Sequence, residues 1–271
     1  MELSRSVGIL TGASRGIGVH LARRLVSEGA ALALAARSGK DLEGTAERIR
    51  AGGGRVITVE CDVTKRADLE RLVERTESEL GPPDLLVNNA GIEHVINFER
   101  IEPDMIEAII ATNVVAAEIL ARLVVPGMIA RRHGHIVNMS SLAGKTAYPY
   151  NSVYSSSKHA LVGFSWSLRE ELKPHGVGVS VVCPAYISEV GMYVDWSGDQ
   201  EPKGLVRRVS PEQVAQATIR AIRRDRAEVI VAKGPSKIVD VIHAISPALA
   251  TGIARKSGLY RWIAGEASKR K

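Results

Sequence analysis

Short runs of aliphatic and β-branched residues recur along the chain, and between them the apolar positions fall at helical spacing. The runs SVGILTG, ALALAAR, RVITVEC, DLLVNNA, HGHIVNMSS, VGVSVVCPA and AEVIVAKG read as seven strands. Helices are predicted from Ile17 to about Glu28, Leu42 to Arg50, Lys65 to Leu80, Pro103 to Arg131, Ser152 to Lys173 and Pro211 to Arg224. The strands are apolar throughout rather than alternating, as strands covered on both faces must be, and a helix between consecutive strands implies right-handed parallel crossovers. The expected fold class is therefore α/β, a doubly wound parallel seven-stranded sheet in a single domain spanning residues 1–271. Its ligand belongs in the crevice beyond the carboxyl ends of the strands.

Two stretches depart from this alternation. Residues 190–208 include GMYVDWSGDQEPKG, rich in Gly, Asp and aromatic residues without periodicity, and read as a mobile lid or substrate loop. Residues 235–271 form a C-terminal helical extension in which Pro247 is expected to split two amphipathic helices.

At 45% apolar and 24% charged residues, the composition is that of a folded globular chain and excludes disorder or a fibrous repeat. The N-terminus lacks a signal-peptide pattern and no segment offers eighteen consecutive apolar residues, so a cytoplasmic location is expected. Cys61 and Cys183 close strand-like runs and read as reduced core residues; no zinc-type Cys/His spacing occurs, and no metal site is expected. The formal charge is +6, and residues 190–271 hold 15 Lys and Arg against 8 Asp and Glu. A solvated surface accounts for that excess, with attraction to an anionic membrane or to an acidic partner as the alternatives.

Candidate chemistry begins where the first strand ends. Thr11-Gly12-Ala13-Ser14-Arg15-Gly16-Ile17-Gly18 opens directly into a helix, so backbone N–H groups and the helix dipole converge on a site for a pyrophosphate. The second strand finishes at Ala36-Arg37-Ser38, where an acid would hold the ribose hydroxyl of NAD. With Arg37 there and Arg15 in the loop, two guanidinium groups can flank a 2′-phosphate, which points to NADP(H). Tyr154 and Lys158 stand four apart at the start of a helix and share one face. A free tyrosine titrates near pH 10, and a neighbouring ammonium is expected to lower that value.

Taken in order, the loop at 11–18, the turn Asn88-Asn89-Ala90-Gly91, Asn113, Ser141, Tyr154 and Lys158 resemble the short-chain dehydrogenase/reductase family, over residues 6 to about 189 and again near 227–232. The resemblance implies a Rossmann-like dinucleotide fold. It implies a catalytic set in which Tyr154 exchanges the proton, Lys158 tunes it and holds the nicotinamide ribose, Ser141 rather than Ser140 bonds the reacting oxygen, and Asn113 helps hold a relay water. For the cofactor it implies Gly12, Ser14, Arg15, Gly16, Ile17, Gly18, Arg37 and Ser38, then Asp62 and Val63 at adenine, Asn89, Ala90 and Gly91 near the adenosine ribose, Tyr154 and Lys158, and Pro184 and Ile187 at the carboxamide. One departure stands out: where the family carries a threonine five residues past the proline, this chain has Glu189, with Ser188 one residue early.

The function so implied is hydride transfer between NADP(H) and a carbonyl or secondary alcohol. Tyr148, Tyr150, Tyr186, Met192, Tyr193 and Trp196 are expected near the cleft mouth and suggest a bulky lipophilic substrate. Leu259, Tyr260, Trp262 and Ile263 in the basic tail suit subunit packing or core cover, with membrane contact as the rival. The resemblance implies a homodimer or homotetramer built through residues 103–131 and 152–173. A cofactor-binding sensor without turnover is the alternative function; no nucleic-acid reader motif is present, so no nucleic-acid partner is expected.

Overall fold

The computed structural model describes residues 1–198, 200–202, 207–234 and 242–269. Among them, β1 (Val7–Thr11), β2 (Ala31–Ala36), β3 (Val56–Glu60), β4 (Leu85–Asn88), β5 (Gly134–Met139), β6 (Val177–Pro184) and β7 (Glu228–Val231) form one sheet of order β3-β2-β1-β4-β5-β6-β7. Every pairing is parallel. The fold is the doubly wound Rossmann-like sheet that the alternation of runs predicts. Successive residues of a strand feed opposite faces. Leu10, Leu32 and Leu34 pack with Leu21 and Leu25 of α1 (Ile17–Ser27) and with Ile219 and Ile222 further along, whereas Ile9, Ala33, Leu86 and Ile136 pack with Leu69, Leu72, Leu120 and Val124.

The remaining crossover helices are α2 (Gly39–Ala51), α3 (Arg66–Glu79), α4 (Pro103–Ile110), α5 (Ala116–Arg131) and α6 (Ser152–Leu172). The predicted helix 103–131 runs continuously through α4 and α5, but Ala111–Val115 between them is one wide π turn. Such a bulge takes in an extra residue and re-aims a side chain; here the residue is Asn113. By length and composition this 29-residue helix, with a mean hydropathy of 1.9 in its most apolar stretch, could cross a membrane. In this fold Ile109, Ala116, Leu120, Val124 and Met128 are buried.

Residues 190–208 are not wholly irregular: Met192–Ser197 forms α7. Six residues are too few to show a period, and Gly191 (φ 89°) and Gly198 (φ 64°) bracket them in the left-handed region that only glycine occupies at no cost. Ser210 and Gln213 close a capping box that starts α8 (Pro211–Arg223). In the extension, Pro247 opens α9 (Pro247–Lys256) after a helical turn at 242–245, and a second break at Gly258 (φ 83°) precedes α10 (Leu259–Ser268). Residues 235–241 of that extension lie outside the described residues.

Candidate active site

Strand order reverses between β1 and β4, and the cleft opens there. Thr11 at the end of β1 holds the turn after β4: its Oγ1 accepts from the backbone N–H groups of Asn89 and Ala90 at 3.0 Å each, while Asn89 Nδ2 donates to the carbonyls of Thr11 (2.9 Å) and Gly12 (3.2 Å). The resulting cavity of about 430 Å³ runs along the carboxyl edge of the sheet. Gly12, Ser14, Arg15, Gly16, Ile17, Arg37, Ser38, Asp62, Val63, Asn89, Ala90, Gly91, Ser141, Tyr154, Lys158, Pro184 and Ile187 all line it.

Two expected residues do not. Gly18 is buried in the first turn of α1, where an added Cβ would lie 2.0 Å from the Gly12 carbonyl oxygen; it is a packing glycine rather than a cofactor contact. Asn113 stands behind the wall. Its Oδ1 accepts from the Ile92 N–H (2.8 Å) and its Nδ2 donates to the Ile92 carbonyl (2.9 Å) and to Ser157 Oγ (2.9 Å). That carboxamide pins the irregular segment following the Gly91 turn to α6, so its side chain is already engaged with protein.

At the nucleotide end, α1 begins at Gly16 with no side-chain cap and no acid in its first turn, leaving its N–H groups and dipole facing the cleft. Arg15 is ion-paired to Asp195 of α7 at 3.1 Å. Ser38 Oγ caps α2, accepting from the Asp41 N–H at 3.3 Å. Asp62 Oδ1 accepts from the backbone and hydroxyl of Thr64 (3.1 and 2.8 Å). Burial pushes the Asp62 carboxyl upward, but those bonds and the charges of Lys65 and Arg37 hold it below its usual value. A dinucleotide fits the residues present: the Oδ1 of Asn89 is buried with no partner among the described residues, and a Cβ at Gly91 would stand 3.5 Å from Lys158 Nζ, covering the lysine.

At the other end, α6 carries Tyr154 and Lys158 on one face. Ser141 caps a short turn at Leu142–Gly144, its Oγ accepting from the Ala143 N–H (3.1 Å), and is hydrogen-bonded to the Tyr154 hydroxyl. Ser140 instead donates to the Lys158 carbonyl at 2.8 Å and is spent on the helix backbone. Lys158 Nζ donates to the Met139 carbonyl (2.9 Å) and lies 5.5 Å from the centroid of the Tyr154 ring. The expected acidification of Tyr154 by Lys158 is not found. Burial, helped by the negative charge of Glu93, raises the phenol well above its ordinary value, and the Ser141 bond only partly offsets this. Burial also lowers Lys158 to about 8, against the pull of Glu93. Desolvation disfavours the charged form of both groups, and over this geometry it outweighs their mutual attraction.

The loop after β6 resolves the departure at the family threonine. Ser188 donates both its backbone N–H (3.0 Å) and its hydroxyl (3.3 Å) to the Val209 carbonyl, and Glu189 takes a left-handed φ of 71°. Neither lines the cleft; Val190 and Gly191 do. Of the residues expected at the mouth, Tyr148, Tyr186, Met192, Tyr193 and Trp196 line it, whereas Tyr150 packs behind them. Leu259, Ile263 and Ala267 of α10 are buried in that aromatic cluster, with Tyr260 and Trp262 against it, and Leu259 and Ala254 reach the cleft. The extension roofs the substrate end, which agrees with core cover.

Sequence reasoning missed Glu93, Met139 and Ala254 and named Leu259 only as core or subunit cover, whereas Val190 and Gly191 fall within the loop it assigned to substrate. Glu93 had a faint signal, a lone acid two residues past Gly91 at the carboxyl end of a strand. Cys61 also lines the cleft, where burial pushes its thiol up to about 12 and so disfavours the thiolate, and Cys183 is likewise a buried thiol outside any disulfide.

The family model for short chain dehydrogenases matches residues 6–201. Ketoacyl reductase HetN of Nostoc sp. is 41% identical over 260 residues, covering 94% of this chain and 88% of that protein. Among solved structures, a metagenomic short-chain oxidoreductase in complex with NADP shares 33% identity with a TM-score of 0.71, covering 85% of this chain and 98% of that one. A variant actinorhodin polyketide ketoreductase with NADPH shares 28% identity with a TM-score of 0.78, covering 87% and 98%. With its glycine loop, its Ser141, Tyr154 and Lys158 at one end of a switch-point cleft, and these matches, the chain belongs to the short-chain dehydrogenase family of oxidoreductases.

Proposed function

We propose that the protein is an NADP(H)-dependent carbonyl reductase acting on a bulky, largely apolar ketone. The observation that carries the reading is that Ser141, Tyr154 and Lys158 converge at one end of a cleft whose other end presents a bare helix N-terminus and Arg37. Arg37, together with Arg15 once it leaves Asp195, would hold a 2′-phosphate by charge-assisted bonds. The Gly16–Ile17 turn would receive the pyrophosphate and Asp62 the adenine edge. Bound there, the reduced nicotinamide supplies a hydride to the carbonyl carbon. Ser141 and Tyr154 bond the carbonyl oxygen, and Tyr154 donates the proton that turns it into a hydroxyl. A phenol held protonated by its surroundings carries the proton that reduction consumes, and the same group would take it back in the reverse reaction. Lys158, whose ammonium lies 5.5 Å from the Tyr154 ring centroid and is lowered to about 8 by burial, would hold the nicotinamide ribose beside it. Two matched proteins are a ketoacyl reductase and a polyketide ketoreductase by name. Both names, with an aromatic wall roofed by the extension, support an elongated ketone such as a ketoacyl group.

The test is NADPH oxidation with a ketoacyl thioester beside small ketones. Tyr154→Phe removes the proton donor and leaves the ring; turnover is expected to fall by about 10²- to 10⁴-fold, far more than any change in NADPH affinity. Near wild-type turnover would remove Tyr154 from this role.

A further inference from the structure

The chemistry above leaves one carboxylate in the cleft unused. Glu93 follows the Gly91 turn and lines the cavity beside Tyr154 and Lys158. Its Oε2 accepts from Asn151 Nδ2 at 2.9 Å and its Oε1 from the indole Nε1 of Trp196 at 3.0 Å. Asn151 is buried and immediately precedes α6, three residues before Tyr154, so the first bond reaches the foot of the catalytic helix. Trp196 is buried in α7, so the second reaches the flap. From there the aromatic wall continues without a gap. Trp196 meets Tyr193 edge-on with ring centroids 5.2 Å apart, and lies 5.5 Å from Trp262 of the roof and 6.5 Å from Tyr186. A carboxylate set among aromatic rings gives up much of its hydration, and hydrogen-bond donors fixed on both sides compensate for it.

We propose that Glu93 is a positioning and specificity-determining residue: its carboxylate clamps α7 to the foot of α6 and thereby fixes how far the aromatic wall stands from the Tyr154 hydroxyl. The proposal rests on the carbonyl reductase reading for the identity of the substrate, though not for the clamp itself. One residue sets the spacing because both arms of the clamp end on it. A glutamine at this position fills the same volume without the charge: both bonds lose their charge assistance, and its amide nitrogen either faces the Trp196 N–H or requires Asn151 to turn its Oδ1 inward. Trp196→Phe keeps a ring in the wall and removes the flap arm alone. The groups that feel the Glu93 charge are Tyr148 and Tyr186 of the wall and Tyr154 and Lys158 of α6, all held upward by it, with Cys183 of β6 acting the same way on Tyr154 and Lys158.

Two measurements decide the matter. Steady-state kinetics with NADPH compare a small ketone with a bulky one across pH, with NADPH affinity followed separately by fluorescence. Trp196→Phe is expected to raise KM for the bulky ketone about two- to tenfold, the worth of one hydrogen bond, and to raise it more than KM for the small ketone, with kcat affected less than KM. Glu93→Gln should raise the same KM and also move the alkaline limb of kcat to lower pH, because removing the negative charge releases Tyr154 and Lys158 downward; Trp196→Phe should leave that limb in place. A KM for the bulky ketone unchanged in both variants, or an unmoved limb in Glu93→Gln, overturns the proposal. The second measurement needs no turnover. In a Trp166→Phe background the remaining indoles, Trp196 and Trp262, both belong to the wall, and Glu93→Gln should make their fluorescence more accessible to acrylamide. Unchanged quenching rejects the clamp, whereas NADPH binding with no ketone reduced and increased quenching rejects only the reductase reading.

Discussion

Near the amino end of β5, far from the cleft, His135 is almost fully buried. Its Nε2 lies 2.8 Å from Ser180 Oγ, whose own proton goes to the Arg226 carbonyl, so the imidazole donates there as a neutral ring. Nδ1 faces Asp225 at 3.9 Å, and Asp225 is committed to Arg169 through two 2.7 Å bonds. Burial lowers the ring to about 4, with Asp225 pulling the other way. The folded value lies below the ordinary 6.5, so the unfolded chain takes up the proton first; the contribution to stability is complete above pH 6.5 and is lost as pH falls toward 4. Denaturant titrations of wild type and His135→Gln should show a wild-type advantage that shrinks by roughly 1–3 kcal/mol between pH 7 and pH 4. A difference independent of pH would mean that the ring is not protonated on unfolding. The same physics explains what spacing alone left illegible at the active site. Ser141, Tyr154 and Lys158 could be placed from their intervals, but the acidity of the phenol depends on how much water the fold removes. Glu93 was missed because a single carboxylate in a loop has no periodicity and gains meaning only from Asn151 and Trp196, distant in sequence.

Elements buried on both faces were legible to within a few residues, because a strand or helix that must hide apolar surface writes its period into the chain. Asn113 was expected on a regular helix and sits on a π turn, a one-residue insertion that leaves the apolar pattern intact on either side. The flap helix α7 was invisible for the opposite reason: it is one and a half turns long, and its place is set by contacts at both ends rather than by its own pattern. Asp195 ties it to Arg15 and Trp196 ties it to Glu93. The Arg15–Asp195 pair is open to solvent, with side chains 74% and 52% exposed, so it contributes at most about 1 kcal/mol. Asp195→Asn should free Arg15 for a phosphate and remove a nearby negative charge. NADPH is then expected to bind up to about fivefold tighter with NADH unchanged, measured by fluorescence titration. An equal gain for both nucleotides would show that Arg15 does not read the phosphate.

For the molecule as a whole, the outer faces of the longest helices leave large apolar groups in water. Val115 on the π turn is 43% exposed and Trp166 on α6 is 47% exposed, and the two helices are neighbours. A second copy of the chain covering this face would account for both. Light scattering should report a multiple of the monomer mass, reduced by Val115→Glu; a wild type already monomeric, or an oligomer indifferent to that change, would refute the pairing. The class of the fold and its crevice could be read in advance from seven runs and their connections. The destination of the extension could not, since its apolar residues suited a membrane, a subunit or the core equally well until Trp262 was seen against Trp196.

The family match ends at residue 201, while much of the roof comes from residues 247–269. On the proposed reading, cofactor cradle and proton donor thus belong to one stretch of polypeptide, and much of the wall that would face the ketone to a later one. Evolution, or a protein engineer grafting the terminal helices of one relative onto another, can therefore retarget the reaction without rebuilding its chemistry.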